Sequence, residues 1–327
     1  MLMQNVLIPA NARFESRINL DKLELEYNIP IDKLQSIQTD GFASDYIVAS
    51  PTLKQVPHYK FTMDLYYDNH TANLFDSSQP RTIFVGQMYW ETTTQFRHNV
   101  YVMLNNKVLY DSELKTYLTA VDSFVKQLGG HYNKIMKLEI AEDCNVNLIK
   151  RFESLTQKKQ PSILHRGKVK QCNFMFNGKA TKQHKDNEFL KILCSGSTEN
   201  PYKTKTIYIS GSYWKTHPQM ELKIYNKSRE VQRNGNAKDY ILDYFLGNRN
   251  NVYRFEVAFK SPYLIKKSLE SVFNCQPNYI DFLCSKSALQ KLMSCASLKL
   301  FSARIKVNHE AFRYEFMELV KNDSVIL

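Results

Sequence analysis

Glycine and proline are scarce, at ten each in 327 residues, and they gather in no tract. That excludes collagen-like and linker-like classes, and no period of the kind that builds solenoids or propellers is present. The six cysteines, Cys144, Cys172, Cys194, Cys275, Cys284 and Cys295, form no C-x-x-C pair and have no histidine at zinc-finger spacing. They read as free thiols of a reducing compartment. No stretch approaches the roughly 18 apolar residues of a membrane-spanning helix. The N-terminal MLMQNVLIPANARFES has no basic start and only a short apolar patch, so it is not a signal peptide. The expectation is a soluble protein of the cytoplasm, bacterial or of a host cell, with no membrane partner.

Acid is also in short supply. Thirty-two Asp and Glu face 44 Lys and Arg, a net charge of +12. Such a field attracts polyanions, nucleic acid first. Twenty Tyr and 19 Phe accompany the cations, a mixture that suits single-stranded nucleic acid, where bases stack and phosphates pair. The hydrophobic share of 43% suffices for a real core.

Residues 1–57 read as an irregular N-terminal extension. Strand-like runs follow at 58–68, 81–93 and 98–105, rich in β-branched and aromatic residues. In 111–130, Leu114, Tyr117, Leu118, Val121, Phe124, Val125 and Leu128 recur at helical spacing, and Gly129-Gly130 ends the run. A strand at 134–145 and a short helix at 146–156 come next. Residues 150–191 hold eleven Lys and Arg against three acids, Glu153, Asp186 and Glu188. A hairpin is expected over 204–227, a polar helical stretch over 228–246 and a strand over 250–261. From 262 onward the pattern is helical. The fold class is α+β: an antiparallel sheet with helices forms a catalytic domain over 58–265, and a helical C-terminal region covers 266–327.

The two-residue strand period places candidate chemistry. Glu139 and Asp143 share one face of the 136–143 strand with the small Ala141. Arg254 and Glu256 share a face of 253–260 with Ala258. Lys223, Tyr225 and Lys227 share the outer face of 222–227. Were these strands neighbours, Glu139, Asp143 and Glu256 would gather and would need a cation between them. Hard oxygen donors select Mg2+ or Mn2+. A free tyrosine has a pKa of about 10 and is a poor nucleophile at neutral pH. Cations around Tyr225 favour its phenolate, and the chemistry expected is attack on a DNA phosphate. The plain alternative is an antiparallel sheet with ordinary Glu–Lys cross-strand pairs.

The order of these segments resembles the trans-acting rolling-circle replication initiators of small plasmids and single-stranded DNA phages. The motifs that carry the resemblance are Lys137-Leu138-Glu139-Ile140-Ala141-Glu142-Asp143, Lys223-Ile224-Tyr225-Asn226-Lys227 and Arg254-Phe255-Glu256-Val257-Ala258-Phe259-Lys260. It covers roughly 58–265. It implies a replication initiator that nicks and rejoins single-stranded DNA at an origin through a phosphotyrosyl bond on Tyr225. Glu139, Asp143 and Glu256 would hold the metal, and Lys223, Lys227 and Arg254 would neutralise phosphate or orient the tyrosine. Glu139 stands where the family has Asp, and no paired metal-binding histidines are present. Tyr208 is the rival nucleophile. Lys168, Lys170, Lys179, Lys182 and Lys185 are the candidate phosphate contacts. Further candidate partners are a second copy of the chain and a host helicase.

Three other readings compete. A non-catalytic DNA-binding initiator or regulator would use the same basic surface. A viral packaging protein would bind DNA without needing a divalent ion. A tyrosine recombinase would need an H-x-x-R set, which the chain lacks.

Overall fold

The computed structural model describes residues 15–51, 61–68, 82–91, 99–150, 162–165, 168–171, 190–195, 204–210, 220–245, 247, 249–274 and 277–306. The architecture is α+β with antiparallel strand pairs. Two compact units divide the chain: Leu20–Leu138 with Pro277–Cys284, and Met1–Asn19 with Glu139–Gln276 and Ser285–Leu327. The division passes through β1 (Ser16–Asn28) and β7 (His131–Cys144).

In the first unit, part of β7 lies beside β1. Then follow β6 (Asn99–Leu104), β5 (Thr82–Trp90), β4 (Phe61–Asp68), β3 (Ile47–Pro51) and β2 (Phe42–Ala43). Leu25, Val102, Met88 and Met63 are matched across four strands and all are buried. Helices α1 (Ile31–Asp40), α2 (Asn106–Leu109) and α3 (Leu114–Gln127) belong to this unit. α3 buries Tyr117, Leu118, Val121, Phe124 and Val125, the stripe that its sequence spacing predicts. Asp111 accepts from the Glu113 N–H at 2.9 Å just ahead of it. Gly129, at φ 73°, ends the run in a left-handed turn that favours glycine.

Residues 16–28 read as irregular, yet they form a 13-residue strand. The alternation is hidden by a change of phase. Leu20 is buried, then Leu23, Leu25 and Tyr27 are buried on the opposite parity. Glu24 and Glu26 are buried as well. Glu24 accepts from Lys137 Nζ at 2.6 Å, and Glu26 from Asn133 Nδ2 at 2.5 Å and Lys134 Nζ at 3.2 Å. Those partners satisfy charges that a strand pattern leaves unexplained.

In the second unit the order is β10 (Leu190–Ser195), β11 (Thr204–Ser210), β12 (Met220–Asn226), β13 (Tyr253–Phe259) and the last part of β7. A small separate sheet joins β8 (Ser162–His165), β9 (Lys168–Gln171) and β14 (Ile305–Lys306). Between β12 and β13 the chain makes an excursion: α4 (Lys227–Arg233) and two 3-10 turns, Asp239–Phe245 and Arg249–Asn251. Val231, Leu242, Phe245 and Val252 close it over a core of its own. Leu222, Ile224, Phe255, Val257 and Phe259 are buried, each worth about 1.5–3 kcal/mol. Helices α5 (Pro262–Phe273) and α7 (Lys286–Arg304) of this unit pack against β13. α6 (Tyr279–Cys284) belongs to the first unit. The helical pattern of 309–322 lies outside the described residues. No described helix is long and apolar enough to cross a membrane.

Candidate active site

The second unit places β13 between β12 and the last part of β7, so the three strands that carry the candidate residues are neighbours. The β12–β13 register sets Tyr225 opposite Arg254 and Lys223 opposite Glu256. Residues directly opposite one another share a sheet face, so these four side chains rise from the same side.

Glu256 is the hub. Its Oε2 accepts from the Tyr225 hydroxyl at 2.9 Å, and its Oε1 accepts from Lys223 Nζ at 2.6 Å. The Glu256 side chain is 3% exposed and that of Lys223 is 21% exposed. Burial works against the Lys223 charge, but the Glu256 carboxylate outweighs it, with Glu139 and Glu221 adding smaller pulls, so the ammonium is held above its ordinary range. Glu221 in turn accepts from Lys260 Nζ at 2.8 Å.

Glu139 joins Glu256, with a carboxylate oxygen of each within 4.8 Å of the other. Asp143 goes elsewhere. Arg254 donates from Nε to Oδ1 and from Nη2 to Oδ2, each at 2.7 Å, a two-pronged grip in which both residues are buried.

Lys227 departs from the strand pattern. The period predicts that it faces out beside Lys223 and Tyr225. Instead β12 stops at Asn226, whose side chain accepts from the Arg229 N–H at 2.8 Å and caps α4. Lys227 is therefore the first helical residue, and its side chain is buried. Its Nζ donates to Glu230 Oε2 at 2.6 Å and lies 5.9 Å from the centre of the Tyr225 ring. Sequence reasoning missed Glu230. Asn226 read as a helix cap would have placed it three residues along the same helix.

Tyr208 sits in β11 at the register position opposite Lys223 of β12 and Lys191 of β10. Lys168 and Lys170 lie in β9, opposite His165 and Ile163 of β8. Lys179, Lys182 and Lys185 lie outside the described residues.

No family model and no curated protein matches the chain. A solved structure of a rolling circle replication initiator protein from Geobacillus stearothermophilus is similar to it at a TM-score of 0.42 and 11% identity, over 94% of this chain and 96% of that one.

Proposed function

We propose that this protein is a replication initiator that nicks and rejoins single-stranded DNA, with Tyr225 as nucleophile and Glu256 as the group that takes its proton. The observation that carries the reading is one carboxylate, Glu256, bonded at once to the Tyr225 hydroxyl and to the Lys223 ammonium. A buried carboxylate aimed at a phenol is a general base in waiting. The ammonium beside it compensates charge as the phenolate forms. The order of the three motifs along the chain supports the same reading.

In the reaction, the Tyr225 proton passes to Glu256, and the tyrosine oxygen bonds to phosphorus as one P–O bond of the DNA backbone breaks. The departing DNA oxygen takes up the proton that Glu256 received from Tyr225. The tyrosyl ester keeps the bond energy, so the same hydroxyl displaces Tyr225 on rejoining. Glu139 and Glu256 are the acids that would hold Mg2+ or Mn2+, since all-carboxylate donors suit hard cations. When bound, such an ion supplies charge stabilisation at the phosphodiester. Asp143 serves through Arg254: the pair fixes β13 against β7 and so fixes Glu256.

The test is trapping on denaturing gels. Single-stranded fragments tiled across the protein's own replicon are mixed with protein, with and without Mg2+ or Mn2+. A metal-dependent covalent adduct is expected. Glu256→Gln is expected to slow it by about 10²–10⁴-fold, the usual worth of a positioned base, while DNA binding persists. Tight DNA binding with no adduct on any fragment would favour the non-catalytic regulator.

A further inference from the structure

We infer that Arg17 is a further catalytic residue, whose guanidinium grips the phosphate that Tyr225 attacks. The inference rests on the proposed nicking function and adds to it a group from the start of β1. Arg17, Tyr225 and the residues that link them all belong to the second unit.

Strand order places it. β1 lies beside β7, and β7 beside β13. Along β1 and the residue before it, Glu15, Glu24 and Glu26 meet Asn145, Lys137 and Asn133, a descending run, so β1 and β7 are antiparallel. The Asn145 N–H donates to the Glu15 carbonyl at 3.2 Å. Two residues further along each strand, Arg17 falls opposite Asp143 and shares its face. Asp143 is held by Arg254, and Arg254 stands opposite Tyr225. Four strands thus carry one row: Arg17, Asp143, Arg254 and Tyr225. The inner two are buried and form a floor. Arg17 and Tyr225, at its two ends, are each part-exposed. Their backbones stand three strand spacings apart, about 14 Å. An arginine and a tyrosine side chain can close that span on one phosphate set over the floor.

The guanidinium is held in a fixed attitude. Its carbon lies 5.3 Å from the centre of the Tyr244 ring. Tyr244 is half-exposed and is itself anchored edge-on against the buried Phe245, with ring centres 5.1 Å apart. The buried Asn19, with its amide turned so that both ends are satisfied, accepts from Arg17 Nε at 3.2 Å. A guanidinium has two faces and five donors, so a ring and an amide orient it without exhausting it. Its planar fork matches two oxygens of a phosphate. As the Tyr225 oxygen adds and the DNA oxygen departs, charge builds on the two phosphate oxygens outside the DNA chain. A donor already in place there stabilises the transition state more than the ground state. Arg254 and Lys227, to which the sequence assigns phosphate contact, hold Asp143 and Glu230 instead. Arg17 fills the role that they leave.

The test is the single-turnover rate of adduct formation at saturating DNA, on the fragment that wild-type protein modifies. Arg17→Ala is expected to slow it by about 10²–10³-fold, the usual worth of one positioned donor. DNA affinity is expected to change far less, and thermal melting not at all. Arg17→Gln keeps most of the stem and removes the charge, so it carries the test if the alanine variant does not fold. The same loss is expected of it. Tyr244→Ala, which removes the surface behind the guanidinium, is expected to slow the reaction several-fold, and Tyr244→Phe to restore it. A wild-type rate in a folded Arg17 variant overturns the inference. So does a loss that shows only as weaker DNA binding at an unchanged saturated rate. Adduct from wild type with indifferent Arg17 variants sinks this inference alone, whereas no adduct from wild type sinks the nicking function and this inference with it.

Discussion

Arg254 of β13 and Asp143 of β7 hold each other two-pronged at 2.7 Å across neighbouring strands, with both residues buried. Removing one partner leaves the other charged in a place water cannot reach. Asp143→Ala is expected to cost about 3–5 kcal/mol, read as a lowered urea midpoint. Asp143→Leu/Arg254→Met, which removes both charges, is expected to recover most of it. A variant Asp143→Ala of wild-type stability but weakened Mn2+ affinity would instead make Asp143 a metal ligand.

Lys223 gives a pH signature. Burial opposes its charge, the Glu256 carboxylate more than offsets that, and its pKa stands above the ordinary 10.5. The folded state therefore holds this proton more tightly than the unfolded chain does. The resulting stability is fully present below the unfolded value and is lost as pH rises through the folded one. The stability difference between wild type and Lys223→Met is expected to stay constant between about pH 7 and pH 9 and to shrink above about pH 10.5. Denaturant titrations across that range check it, and a difference growing with pH would contradict it.

Lys227 is buried, but its partner Glu230 is partly exposed and keeps Asn234. Lys227→Met is expected to cost no more than about 1 kcal/mol in stability. Because the lost cation lies 5.9 Å from the Tyr225 ring, adduct formation is expected to slow several-fold at saturating DNA. Loss of stability with an unchanged rate would make Lys227 a purely structural pin.

Gly86 of β5 tests the sheet of the first unit. A methyl group there would meet the Met103 carbonyl oxygen at 2.2 Å, a backbone atom that cannot swing aside. Gly86→Ala is expected to destabilise by about 1–3 kcal/mol or more, read by thermal melting. A neutral outcome would mean that β5 and β6 can part locally without cost.

The sequence made some of this legible and hid the rest for physical reasons. The acid and tyrosine strands obey a strict two-residue period, so Glu139, Glu256, Lys223 and Tyr225 could be assigned to faces from spacing alone. That β13 lies between β12 and β7 is a matter of long-range pairing, which no local pattern encodes. Lys227 could not be placed by period because a single cap, Asn226, changes the geometry from strand to helix at that point. The change of phase between Leu20 and Leu23 disguised β1. Nor does any rule of alternation foretell that Asp143, on the same face as Glu139, spends both oxygens on Arg254.

The central claim is that Tyr225 is the residue that carries the DNA. The most direct measurement is peptide mapping of the trapped adduct by tryptic digestion and mass spectrometry. Tyr225 lies in the short peptide Ile224-Tyr225-Asn226-Lys227, whereas Tyr208 lies in the peptide spanning 206–215. A nucleotide mass on the 224–227 peptide, absent in Tyr225→Phe, is the predicted result. A nucleotide on the 206–215 peptide, with Tyr225→Phe still forming adduct, would contradict the account.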